Sequence, residues 1–203
     1  MKFIEDFMKN FWRWTKIYID IHGHARDFKQ RHKKETIAHA LEVCRDVGID
    51  VFLDMPNTDP PVMFEKEVLE RLRLAREANV PDVFYGLYMG LTSDPEQIKG
   101  AVETYRKYFP KVVGAKLYAG HSVGRLGVIG FDNQEIVYRV LAEEGYLGVL
   151  SVHAEKEESL KPGLWTPNEP LTHCLARPAE AEIDSVIDQL YLAEKTKFPG
   201  KLH

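Results

Sequence analysis

Long apolar runs are missing from this 203-residue chain, and a helix that spans a bilayer needs about 20 such residues in succession. Cysteine is scarce as well: Cys44 and Cys174 lie far apart, without CxxC spacing. That usage fits buried thiols in a reducing compartment better than a disulfide framework, so the expected location is cytoplasmic. An excess of basic charge is also lacking. Its 27 Lys and Arg against 31 Asp and Glu leave a net charge of -4, with no basic run. The electrostatic case for a nucleic-acid partner therefore fails. Neither a GxGxxG after the first apolar stretch nor a P-loop occurs, which argues against dinucleotide and nucleotide folds.

What is present is ordinary globular material. A hydrophobic content of 44% supports a substantial core, although 203 residues are short for a complete α/β barrel, which takes about 250. The opening MKFIEDFMKNFWRWTK is broken by Glu5, Asp6, Lys9 and Arg13, unlike a signal peptide. Phe3, Ile4, Phe7, Met8 and Phe11 follow helical spacing instead. Residues 1–16 are thus expected to form an amphipathic helix that plugs a barrel end or meets a second subunit. Adsorption to a membrane is the weaker reading, because its polar face mixes both charge signs.

Residues 17–203 read as one α/β domain in which strands and helices alternate. Strands are expected near Ile17–His22, Asp50–Asp54, Val83–Tyr88, Val112–Leu117 and Gly148–His153, with a sixth from Lys201. Helices are expected near Lys33–Val47, Glu65–Asn79, Pro95–Phe109, Asn133–Gly145 and Ala179–Lys195. Gly48 and Gly145 sit where helix C-caps belong, and Pro95 and Pro178 near helix starts. Repeated βα units predict a parallel sheet. The expected architecture is a partial (β/α)8 barrel of roughly five units, with an open doubly wound sheet as runner-up.

The chemistry concentrates at strand ends. In Ile19-Asp20-Ile21-His22-Gly23-His24-Ala25-Arg26, strand alternation would put Asp20, His22, His24 and Arg26 on one face. Two imidazoles at i and i+2 can reach one metal ion, and an arginine beyond them can hold an anionic group; solvated histidines at a polar strand end are the bland alternative. Asn57 follows strand two in Asp54-Met55-Pro56-Asn57-Thr58, and His153 ends strand five. Lys116 lies inside the apolar run Val112-Val113-Gly114-Ala115-Lys116-Leu117. Burying an unpaired ammonium costs several kcal/mol or drives the amine neutral. A neutral amine can take up carbon dioxide as a carbamate and bridge two metals; a lysine that snorkels to the rim is the alternative.

Blander readings suit the remaining candidates. Asp20 would orient a histidine or cap its strand, and His32 and His39 lie on or beside a charged helix. His173-Cys174 is isolated, and Arg177-Pro178 with Glu182 would organise a helix start.

Taken in order, His22-Gly23-His24-Ala25-Arg26, Met55-Pro56-Asn57-Thr58, Lys116-Leu117-Tyr118, His153-Ala154-Glu155 and Arg177-Pro178 with Glu182 resemble the dihydroorotases of the amidohydrolase superfamily. The resemblance implies a distorted (β/α)8 barrel with two zinc ions: His22 and His24 on the first, carbamylated Lys116 bridging, His153 on the second. It implies Arg26 and Asn57 as ligands of a substrate carboxylate. The reaction would be reversible hydrolysis of the cyclic amide of dihydroorotate to N-carbamoyl-L-aspartate, in pyrimidine biosynthesis. The loop Gly120-His121-Ser122-Val123-Gly124 could close over that substrate.

The match also departs from the family. A fourth metal-binding histidine and the aspartate that serves as general base would lie past His203, so no catalytic acid or base is assigned within the chain. His203 reads as the residue before the missing ligand. The chain is therefore expected to be part of a longer dihydroorotase-like protein, or a truncated gene product, without normal turnover alone, and its open sheet edges allow pairing into a homo-oligomer. Alternatives are a non-catalytic dihydroorotase-like subunit and another cyclic amidase of the dihydropyrimidinase or allantoinase kind.

Overall fold

The computed structural model describes residues 16–26, 35–121 and 126–203. The expected helix over 1–16 and most of the loop after Gly120 lie outside the described residues. Six strands form one sheet: β1 Ile19–Gly23, β2 Val51–Asp54, β3 Phe84–Gly90, β4 Val112–Tyr118, β5 Val149–His153 and β6 Lys201–Leu202. All adjacent pairs are parallel, and their spatial order is their chain order. A doubly wound sheet reverses direction part way across. This one never does, so it is an arc of a barrel.

The helices between strands are α1 Ile37–Val47, α2 Glu65–Ala78, α3 Pro95–Tyr108, α4 Phe131–Glu143, the short α5 Thr172–Ala176, and α6 Ala179–Lys195. Local chemistry explains their limits. The Thr36 hydroxyl accepts from His39 N–H at 3.2 Å at the start of α1, and Gly48 ends it at φ 81°. That left-handed turn lets Ile49 N–H reach back to Cys44 O at 2.8 Å. The α1 residues buried against the sheet are Ile37, Ala40, Leu41 and Cys44, spaced for one helical stripe. Asp94 caps α3 ahead of Pro95 through its bond from Glu96 N–H at 3.0 Å.

The sheet separates two environments. On β4, Ala115 and Leu117 join the apolar core under the helices, together with Phe52, Leu87 and Leu150. Lys116 and Tyr118 point the other way, beside Ser151 and His153 in register on β5. Gly114 makes room on that inner face: a Cβ there would meet the Tyr88 ring at 2.8 Å and Val149 O at 2.6 Å.

Strand β1 departs from simple alternation. Asp20 pairs with Phe52 and Gly23 with Asp54, so three steps on β1 match two on β2. One extra residue is a bulge, and it reverses which face the following side chains take. Asp20 therefore belongs with Phe52 on the helix side, where its charge reaches Cys44 of α1. His22 faces the inner side. The expectation that Asp20 shares a face with His22 and His24 is corrected on this point.

Candidate active site

The inner face opens into a cavity of about 930 Å³ whose lining includes His22, Lys116, His153, Arg177, Glu182 and His203. Lys116 is 2% exposed. Its Nζ donates to Ser151 Oγ at 3.3 Å and stands 5.3 Å from the centre of the Tyr118 ring. No ion pair to Lys116 occurs among the described residues. Burial without a counter-charge lowers its pKa to about 8, so a neutral amine is accessible near neutrality.

The histidines around it resist protonation too. Burial lowers His22 to about 4, helped by the charges of Lys116, His24 and His203. Burial also lowers His24 and His153, and the Lys116 charge acts on both in the same direction. Three imidazoles with available lone pairs thus surround one deprotonatable amine.

Backbone and polar partners hold these groups in place. Gly23 separates His22 of β1 from His24 just after it, and a Cβ there would collide with the Phe52 ring. Asp54 anchors the next turn. Its carboxylate accepts from Ala25 N–H at 2.9 Å, Arg71 Nη2 at 2.6 Å and the Tyr85 hydroxyl at 2.7 Å. Arg71 also donates to Ala25 O, so both backbone groups of Ala25 are gripped between His24 and Arg26. Asn57 is 4% exposed, and its Oδ1 lies 2.8 Å from His24 Nδ1. With Nδ1–H as donor, His24 keeps its Nε2 lone pair free and Asn57 keeps its amide N–H groups for another partner.

On the opposite wall, Glu155 Oε2 lies 3.1 Å from His153 Nε2 and pairs with Arg177 Nη1. With Nε2–H as donor, His153 keeps its Nδ1 lone pair free. His121 pairs with Glu157 at 2.7 Å, and its carbonyl accepts from Arg177. His203 Nε2 comes within 3.4 Å of His22 Nδ1. His39 Nδ1 lies 2.9 Å from Glu35 Oε1 on the far side of the sheet. His173 and Cys174 line the outer part of the cavity.

Among the sequence-chosen residues, His22, Lys116 and His153 share this cavity, and His24 with Asn57 stands beside His22. Among the described residues, no three His, Cys, Asp or Glu side chains converge tightly enough to enclose one cation. The donor set nevertheless suits a transition metal: neutral imidazoles with oriented second nitrogens, and an amine able to become a carboxylate-like group. Asp54, Glu155 and Arg177 were not assigned site roles from sequence. The burial of Arg71 on the same α2 stripe as Val68, three residues before it, emerges only from the structure.

The sequential parallel sheet and its polar concave face define a partial (β/α)8 barrel. An L-hydantoinase (dihydropyrimidinase) from Arthrobacter aurescens superposes with a TM-score of 0.72 at 20% identity, covering 91% of this chain and 40% of that one. A dihydroorotase from Saccharomyces cerevisiae, in complex with 5-fluoroorotic acid, gives 0.63 at 21% identity, covering 92% and 46%. By sequence the chain is related to the dihydroorotases. The dihydroorotase of Thermococcus kodakarensis is 30% identical over 181 residues, and that of Pyrococcus abyssi 31% over 184, each across 89% of this chain. The chain spans 37% and 36% of those relatives' lengths. No protein-family model matches it.

Proposed function

We propose that this chain carries the metal-binding and substrate-carboxylate-binding part of a dihydroorotase-like cyclic amidohydrolase. The observation that carries the reading is the buried Lys116 amine, without a counter-ion, among three imidazoles that disfavour protons. The names of its sequence relatives support the substrate class. His22 and His24 would hold one zinc ion, His153 a second, and Lys116 as its carbamate would bridge them. Bound zinc would supply Lewis-acid activation of water and of the scissile amide carbonyl.

The chain's own residues would do the rest. Asn57 fixes the His24 ring, and Glu155, steadied by Arg177, fixes His153. Arg26 offers a planar cationic fork to the carboxylate of dihydroorotate, and the free amide N–H of Asn57 a neutral donor. The product of ring opening would be N-carbamoyl-L-aspartate, a step of pyrimidine biosynthesis in the cytoplasm. A small molecule, rather than nucleic acid or a membrane, is the partner this cavity suits. His22 and His24 are only partly covered, so water reaches them and turnover by this chain alone should be weak.

Metal analysis of the purified chain, with and without bicarbonate during zinc loading, tests the assignment. About two zinc ions per chain are expected, as in other two-metal sites, falling sharply in Lys116→Ala. Hydrolysis should then favour dihydroorotate over dihydrouracil and allantoin. Zinc at background in the wild type would instead make the chain a non-catalytic subunit.

A further inference from the structure

Two buried glutamines stand in matching places, Gln97 in the first turn of α3 after β3 and Gln134 in the first turn of α4 after β4. Gln97 Nε2 donates to Gly90 O at the end of β3 and to Met63 O in the loop after β2, both at 3.0 Å. Gln134 Nε2 repeats this with Ala119 O, just past β4, and with Val128 O, again at 3.0 Å each. Their Oε1 atoms are committed too. Thr92 N–H donates to that of Gln97 at 3.0 Å, and Gln189 Nε2 to that of Gln134 at 2.7 Å. Gln189 is fixed in turn by the Tyr138 hydroxyl, which donates to its Oε1 at 2.9 Å. Flipping the Gln97 or Gln134 amide would set N–H against N–H and carbonyl against carbonyl, so each hook has one orientation.

What the hooks hold is the backbone beneath the cavity. Gly90 O belongs to the same peptide group as Leu91 N–H, which donates to Lys116 O at 3.0 Å. Ala119, hooked through its carbonyl, donates its own N–H to His153 O at 3.0 Å. Each glutamine is thus one residue removed from the carbonyl of a side chain that lines the cavity. A buried amide with every partner in place is rigid and stiffens the groups it binds. We propose that Gln97 and Gln134 are positioning residues that act through Leu91 and Ala119 to set Lys116 and His153 relative to each other. The consequence for metal rests on the dihydroorotase-like reading; the hooks themselves do not.

The test uses the full chain carrying Gln97→Met or Gln134→Met, which keep the side-chain length and lose the donors. Beside them stands Val137→Ala, a truncation of a fully buried α4 residue that leaves both amides in place. Competition with a chelator should show zinc held about 10-fold more weakly by each methionine variant. Val137→Ala should hold zinc as wild type does, although its cavity makes it unfold earlier in urea. Zinc held equally tightly by wild type and both methionine variants overturns the proposal. So does an equal loss in Val137→Ala, because loosened packing would then suffice. Amide hydrogen exchange reads the hooks without metal. Ala119 N–H should exchange at least about 10-fold faster in Gln134→Met, and Leu91 N–H likewise in Gln97→Met, while Phe52 and Leu53 on β2 keep their wild-type rates. Acceleration spread evenly over the sheet counts against the hooks. Local acceleration in a chain that takes up zinc only at background leaves the hooks standing and removes the dihydroorotase-like reading. Where a methionine variant fails to fold, wild type decides: side-chain N–H protons of Gln97 and Gln134 that resist exchange support the hooks, and rapid exchange overturns them.

Discussion

Lys116 is destabilised by its surroundings, and the sign of its pH dependence follows from that. Its folded pKa of about 8 lies below the ordinary lysine value of 10.5. Between those values the unfolded chain binds more protons, so stability rises as pH climbs from about 8 towards 10.5 and is lowest below 8. Lys116→Met should therefore stabilise the metal-free chain at pH 7, by roughly 1–3 kcal/mol. Urea unfolding of both proteins at pH 7 and pH 10 checks this: the gap should narrow at the higher pH. The buried cluster around Ala25 behaves oppositely. Arg71→Ala removes the partner of a carboxylate that is 1% exposed, and stranding such a charge costs about 3–5 kcal/mol. Chemical denaturation should show that loss, and broadened His24 resonances should accompany it, because Arg71 and Asp54 grip the adjoining backbone.

The elements were largely legible because each carries its own local signal. Thr36, Gly48 and Pro95 mark helix limits by capping chemistry, and every strand from β2 to β5 was anticipated to within two residues. Helix α4 starts at Phe131, two residues earlier than Asn133, because Gly130 accepts its first turn through Gln134 N–H at 3.2 Å. The short α5 and the turns before it went unread: Thr166 to Thr172 is closed by side-chain bonds from Thr172, which leave no periodic pattern. The site was legible where a residue was odd for its strand, as Lys116 is. It was not where the decisive partner came from far along the chain, as with Glu155 and Arg177. The two loops that carry β4 and β5 onward touch at Gly120, where a Cβ would lie 2.3 Å from Glu155 O. Gly120→Ala should force those loops apart, lower the melting temperature by several degrees, and disturb His153 through Glu155. Thermal melting and histidine chemical shifts would register both effects.

Across the whole molecule, apolar surface is unevenly covered. Helix α6 exposes Ile183, Ile187, Leu190 and Tyr191, each more than half accessible, at spacings that make one stripe. Strand β1 exposes Ile19 and Ile21 as well. Patches of this kind promote association. Light scattering should detect self-association that grows with concentration, and Ile183→Lys with Ile187→Lys should reduce it while leaving the circular dichroism spectrum unchanged. No helix among the described residues is long and apolar enough to cross a membrane, so burying this stripe in a bilayer as a span is not an option.

The bulge in β1 makes the spacing of His22 from Asp20 a matter of parity rather than of distance. A chain shortened by one residue at Ile21 would keep its helices and its sheet order. Its first imidazole, lying between Asp20 opposite Phe52 and Gly23 opposite Asp54, would still turn towards the cavity by plain alternation, so the strand tolerates that loss at the one place where it carries a spare residue.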